Sequence, residues 1–516
     1  MKLNGKEVLV CNCEGTMTID GKALAKACQG GDKKGGGKKA EELSVASHLC
    51  RTQIEEFQRL AGQGSELLVA CTQEAPLFLE TLDEIGEDAP AAQFINIREK
   101  AGWSKDASGK SPRKTDMTAK MAALLAEAAL DLEAATSVTM ISGGVLLVIG
   151  NDDRALEAAK KVASRLDVTV VLEPGSGVQP PALMDVPVFT GRVTQAEGHL
   201  GQFQVTIEAF QAASASSRES LNFDGTGETG TSVCDLILDL RGGTPLFPAP
   251  EKRDGYFNPD PGNPALIGDA LLQLTDMVGE FDKPQYIDYD ESICAHSSAG
   301  ITGCTRCIDH CPTGAITPDT VNERVSLDPY ICAGCGTCAS VCPTGAAKYT
   351  LPAGDGLYQR LRTVLRTYLA AGGKKAKAPQ ILVHDQGFGS EMIDAMARGG
   401  GGLPANMLPF ALNQVTQVGL DFLLSASAYG AERVLVLVGP AQADEKAGLE
   451  SEIALAEAVL DGLGYGKERF AIVDYTDPAA LEDRLYGLDG LAPLPNADFL
   501  GLGRKRSVMN LALADL

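Results

Sequence analysis

Aromatic side chains make up only 5% of the 516 residues, with a single Trp, which excludes the stacking platforms that hold single-stranded nucleic acid. Positive charge is also short: 45 Lys and Arg face 68 Asp and Glu, a net charge of −23 at pH 7. A polyanion of that size repels a phosphate backbone, so no nucleic-acid partner is expected. No apolar run reaches the roughly 18 residues of a membrane span. The opening MKLNGKEVLVCNCEG lacks a basic region followed by an apolar stretch and a small-residue cleavage site, and the expectation is a cytoplasmic chain. What is plentiful is apolar material, 44% hydrophobic against 22% charged. That excludes global disorder and supports roughly three to four domains.

Short apolar runs alternate with helical patterns along most of the chain, predicting a multidomain α/β protein. KEVLVCN (6–12) reads as a strand and the Gly/Lys run Gly30–Lys39 as a loop. A helix over 41–60, the strand ELLVACT (66–72) and a helix over 76–85 complete a small parallel unit, residues 1–115. Residues 116–285 open with a helix over 118–135. The strand GVLLVIG (144–150), a helix through Leu166 and the strand VTVVLEP (168–174) then form a βαβ unit, and 185–240 reads as an antiparallel insert. A Cys-rich segment, 286–350, is expected as an inserted α+β domain. A helix over 356–370 and a linker composition at 372–379 fill 351–378, and 379–516 is another open α/β unit, without cysteine.

Eight of the fourteen cysteines fall between Cys294 and Cys342. CTRCIDHCPTGAI (304–316) and CGTCASVCPTGAA (335–347) form an internal repeat. The second copy reads Cys332-x2-Cys335-x2-Cys338-x3-Cys342-Pro, the spacing with which three thiolates grip one iron–sulfur cube while the fourth reaches the other. By that rule one [4Fe-4S] cluster takes Cys332, Cys335, Cys338 and Cys311, and the other takes Cys294, Cys304, Cys307 and Cys342. Structural zinc is the alternative for CxxC pairs, but it does not need the x3-Cys-Pro completion. The segment resembles the bacterial dicluster ferredoxins, with one departure: nine residues, AHSSAGITG, separate Cys294 from Cys304 instead of two. That makes Cys294 the weakest assignment, leaves a three-iron cluster as an alternative there, and gives His296 the place of a reserve ligand.

Cys11, Cys13, Cys50 and Cys71 each end an expected element of the first unit. On the residues alone they read either as small buried hydrophobes or as groups converging at one sheet edge. The stretches VLVCNCEG, SHLC, ELLVACTQEAPLFLETLDEIG and FINIREKAGWS resemble the N-terminal domain of the heterodisulfide reductase A subunit family. The resemblance implies a third [4Fe-4S] cluster on those four cysteines; Cys28 and Cys234 read as structural thiols.

In the same family a flavin-binding βαβ stands where this chain has GVLLVIGNDDRALEAAKKVASRLDVTVVLEP. Gly150 ends the first strand, and Glu173 follows 23 residues later where an acidic residue holds a ribose hydroxyl. The glycine that lets the backbone approach a diphosphate is replaced by Asp152. Carboxylates there compensate the helix dipole and repel phosphate, so a degenerate Rossmann-like domain without FAD is expected. The C-terminal unit resembles the delta subunit of methyl-viologen-reducing hydrogenases without its cysteines, HDQGFGS (384–390) standing at the matching strand end. A docking or scaffolding role follows.

These features point to an electron-transfer subunit or accessory protein with no catalytic residue of its own. It would relay single electrons between a redox enzyme and a partner protein, the family context suggesting a formate dehydrogenase or a hydrogenase. A FAD-containing iron–sulfur oxidoreductase subunit and a maturation or scaffold protein for a metalloenzyme are the alternatives.

Overall fold

The structure, a computed structural model, describes residues 1–29, 43–107, 116–249, 253–299, 303–373, 376–443 and 445–516. The expected loop Gly30–Lys39 lies outside them. The chain divides into two compact units: Met1–Ala134 with Ser292–Ala295 and Cys335–Leu516, and Ala135–Glu291 with His296–Gly334. Among the described residues no helix is long and apolar enough to cross a membrane.

The first unit begins with a small, mostly parallel sheet. The strand Lys6–Cys11 lies between Val45–Ala46 and Leu67–Ala70, which pairs in turn with Ala92–Phe94, all parallel. Alternate residues of the central strand serve opposite cores: Val8 and Val10 pack with Leu24, Met121 and Leu125, whereas Leu9 and Cys11 pack with Phe57 and Phe78. The helix expected over 41–60 is corrected. Val45–Ala46 is a strand and the helix is Ile54–Ala61; Gln53 accepts the Ser47 and His48 N–H groups on its side-chain oxygen at 2.8 and 2.7 Å and holds the intervening turns. The helix expected over 118–135 ends earlier, at Ala128.

The same unit contains a second parallel sheet with strands in the order Met407–Ala411, Gln380–His384, Arg433–Leu437, Phe470–Val473. The Met407–Ala411 strand was not expected, because Pro409 interrupts the apolar run MLPFA that forms it. Ile381 and Val383 face one core, Leu382 the other. Helix Thr118–Ala128 serves both sheets: Met121, Leu124 and Leu125 join the first core, Ala123 the second.

The second unit carries a seven-stranded sheet. Its parallel portion runs Val188–Glu197, Asp167–Leu172, Val145–Gly150, Leu236–Leu240, Tyr256–Phe257, and Phe203–Ala213 and Phe223–Cys234 extend it antiparallel beyond Val188–Glu197. The antiparallel insert expected over 185–240 therefore stops at Cys234. LILDL (236–240) is buried along its whole length, the mark of a strand covered on both faces, and it pairs parallel with Val145–Gly150. A hairpin, Ile316–Asp319 with Arg324–Leu327, follows the first copy of the cysteine repeat. The whole is a mixed α/β chain with parallel sheet regions and a ferredoxin-type segment.

Candidate metal centres

All fourteen cysteines are described and none is in a disulfide. Among the described residues no three His, Cys, Asp or Glu side chains are grouped as a single metal ion would need. The thiols are taken unit by unit, the N-terminal four last.

In the second unit the first repeat copy places Cys307 in the short helix Arg306–Asp309, with Cys304 and Cys311 flanking it. His310 Nδ1 donates to Arg306 O at 2.9 Å, Cys311 Sγ lies 3.7 Å from Thr313 Oγ1, and Arg253 donates to Thr313 O at 3.2 Å. Cys332 is fixed by its N–H to Asp328 O, 3.1 Å. His296 is buried and its Nδ1 donates to Cys304 O at 3.1 Å. Residues 300–302 of the enlarged loop lie outside the described residues.

The first unit holds Cys294, which is buried, and the second copy. Cys338 sits in the short helix Thr337–Ser340, and Cys342 repeats the first copy's motif, its Sγ 3.6 Å from Thr344 Oγ1. Burial opposes ionisation of Cys342. Backbone N–H groups of Ala347, Thr344 and Ala346 and the Thr344 hydroxyl outweigh that and lower its pKa below the ordinary thiol value. A thiolate so stabilised is what an iron–sulfur ligand requires. Thr416 Oγ1 donates to Cys335 O at 2.5 Å. Lys505, on the last helix, donates to Ala339 O and Ser340 O at 2.9 and 2.5 Å and pairs with Asp421 at 3.3 Å, while Arg506 donates to Pro343 O at 3.1 Å. None of these clasping residues was read from the sequence.

The N-terminal cysteines do converge. Cys11, Cys13, Cys50 and Cys71 line one cavity of about 190 Å³. The strand register explains it: Val10 stands opposite Ala70, so the two parallel strands end together at Cys11 and Cys71. Cys50 arrives on the turns before helix Ile54–Ala61. Cys13 and Glu14 adopt left-handed φ of 52 and 58°, folding the chain back so that Cys13 N–H donates to Cys11 Sγ at 3.4 Å. Burial raises the Cys71 pKa against a backbone hydrogen bond from Glu74, Arg98 counteracting only weakly, and burial also raises that of Cys50, with Arg51 opposing and Glu74 adding to it. Arg98 NH1 donates to Cys13 Sγ at 3.3 Å. The sequence signal for Arg98 was its place in FINIREK, just beyond the strand Ala92–Phe94 at the same sheet edge.

Cys28 and Cys234 stand apart, their pKa values each pushed up to about 12 by burial. They pack in separate apolar cores.

Gly150 ends its strand against helix Asp153–Val162, where an added Cβ would stand 2.6 Å from that of Ala155. Its missing side chain thus serves close helix–strand packing. Asp152 caps the helix by accepting Arg154 N–H at 3.0 Å, and the Arg154 guanidinium holds the carboxyl below its ordinary pKa. Glu173 lines an open cleft of about 630 Å³ with Asn151 and Arg241. It faces Arg241 and Arg192, both at 3.9 Å. In the C-terminal sheet His384 is fully buried at its strand end. Its Nδ1 donates to Asp385 O at 2.7 Å, its Nε2 makes no hydrogen bond, and burial lowers its pKa to about 3.

The repeated thiol motif marks 304–347 as a ferredoxin-type segment of the chain. Residues 302–346 match the family model of the 4Fe-4S dicluster domain. The match covers the seven cysteines from Cys304 to Cys342, begins after Cys294, and supports iron–sulfur electron transfer through this segment. No curated protein matches the chain.

Proposed function

We propose that the chain relays single electrons between a redox enzyme and a protein partner through two [4Fe-4S] centres in 286–350, with a third in the N-terminal pocket. The ligand sets are those given by the repeat spacing, and Cys11, Cys13, Cys50 and Cys71 complete the third. The observation that carries the reading is the duplicated thiol motif, whose second copy stabilises the Cys342 thiolate with backbone N–H groups. Bound there, such a cluster supplies one-electron chemistry without proton bookkeeping.

The residues around the thiols suit that role. N–H and hydroxyl donors face sulfur, the Lys505 and Arg506 clasp fixes the second copy, and the four N-terminal thiols share one half-enclosed cavity. We further read the chain as a relative of the heterodisulfide reductase A subunits whose parallel sheet at 145–172 is a degenerate dinucleotide fold. Its helix N-terminus is filled by the carboxylate of Asp152 and its acidic Glu173 faces arginines, which supports a chain that has kept the electron path and lost FAD. The net charge of −23 favours a basic docking face on the partner and a salt-sensitive encounter.

Iron, acid-labile sulfide and released flavin, measured on anaerobically purified protein together with EPR of the dithionite-reduced sample, test the proposal. About twelve irons without flavin are expected, and about eight would remove the N-terminal centre. Stoichiometric FAD would overturn the relay in favour of a flavoenzyme.

A further inference from the structure

Among the cations lining the N-terminal cavity, Arg98 is the one whose guanidinium is hydrogen-bonded to sulfur. Its other nitrogens are committed as well: Nε and NH2 donate to Glu99 Oε1 at 2.9 and 2.5 Å, and NH2 donates to Gln73 Oε1 at 2.5 Å. The guanidinium carbon lies 4.4 Å from the centroid of the Trp103 ring, which is itself tied to Thr16 Oγ1 at 3.1 Å. The π-helical turn Arg98–Gly102 carries the group; Asn96 Oδ1 accepts Glu99 N–H at its start, 3.0 Å. At its end Gly102 leaves room for Met17, whose Sδ would stand 2.2 Å from an added Cβ.

Glu99 is 2% exposed and serves two cations, because Arg398 NH2 also donates to its Oε1 at 2.8 Å. Arg398 lies on the helix Phe388–Gly399 of the C-terminal sheet. A chain of charge therefore runs Arg398, Glu99, Arg98, Cys13. Glu99 Oε1 takes Nε and NH2 of Arg98 as well as Arg398, which leaves Arg98 NH1 directed at sulfur. The other cavity-lining arginine, Arg51, turns to Glu74 at 3.3 Å and is largely exposed.

We propose that Arg98 sets the reduction potential of the centre held by Cys11, Cys13, Cys50 and Cys71, raising it by a charge-assisted N–H···S bond to Cys13, and that Arg398 positions it through Glu99. This rests on the reading of those four thiolates as cluster ligands. The reduced state carries one more negative charge than the oxidised one. A fixed, partly buried cation bonded to a ligand sulfur favours it, as hydrogen bonds and local charge do at such centres generally.

The test is an EPR-monitored redox titration of the full chain with its clusters, alongside iron and sulfide counts, for wild type, Arg98→Gln, Arg98→Lys and Arg398→Ala. Arg98→Gln is expected to keep its iron while the reduced-to-oxidised ratio of the N-terminal centre falls about tenfold at a fixed poise, about 59 mV for one electron. The signals of the other two centres should not move. Arg98→Lys recovers part of the shift, and Arg398→Ala gives a smaller one of the same sign. An unchanged potential in Arg98→Gln with full iron overturns the proposal. Where Arg98→Gln loses iron, Arg398→Ala decides, since Arg398 does not line the cavity; an unmoved potential there counts against it. Should Cys71→Ser leave the iron count of wild type intact, the cluster reading of the pocket fails first, and the role of Arg98 with it.

Discussion

The parallel strands of three sheets in this chain end in three different chemistries. The edge after Lys6–Cys11 and Leu67–Ala70 gathers thiols and one sulfur-directed guanidinium. The edge after Val145–Gly150 and Asp167–Leu172 gathers carboxylates matched by arginines. The edge after Gln380–His384 buries a neutral imidazole beside the capping carboxylate of Asp385, which accepts Gly389 N–H at 2.7 Å. The backbone arrangement is shared, so the difference lies in the two or three residues that follow each strand. Parallel sheets put loops at one end; side chains there decide whether the edge holds metal, an anion or only itself.

Substitutions at the thiol edge carry the largest expected effect. Cys71→Ser or Cys11→Ser should remove about four irons per chain while the EPR signals of the other two centres persist. In the repeat, Cys332→Ser and Cys307→Ser should each damage one centre and leave the other partly assembled. Full iron in both repeat variants would show the ligand sets to be wrong.

The imidazole edge predicts an acid response. His384 titrates near pH 3 in the folded chain and near 6.5 when unfolded, so as pH falls below about 6.5 the unfolded chain takes up a proton that the folded one refuses. Its contribution to stability is intact above 6.5 and is lost down to about 3, with a slope of at most about 1.4 kcal/mol per pH unit. Denaturant midpoints between pH 7 and 4 should fall less steeply in His384→Asn than in wild type. Parallel slopes would mean that His384 is not the group responsible.

What could be read beforehand follows the same division. The repeat was legible because Cys332, Cys335, Cys338 and Cys342 are local, and spacing alone carries their chemistry. The N-terminal pocket was not legible from spacing, since Cys50 and Cys71 reach Cys11 only through the strand pairing of Val10 with Val45 and Ala70. Arg98 stood in a quoted segment, but its role depends on a π-turn and on Glu99 and Arg398, 299 residues apart. The strand MLPFA was hidden by Pro409. LILDL was taken as antiparallel because it adjoins an alternating stretch, although its own run is apolar but for Asp239.

The carboxylate edge gives the smallest expected effect and separates two roles of one residue. Asp152 is both an N-cap and a negative charge at the N-terminus of helix Asp153–Val162. Asp152→Ala removes both and should cost about 1 kcal/mol in a urea titration. Asp152→Asn keeps the cap, since Asn ranks with Asp there, and should stay within a few tenths of wild type. If electrostatic repulsion is what sets this edge apart from a nucleotide site, Asp152→Asn should bind ADP or pyrophosphate measurably more tightly than wild type in calorimetry, at unchanged stability. Equal weakness in both would place the exclusion with Arg241 and Glu173, which face each other across the same cleft, and not with the cap.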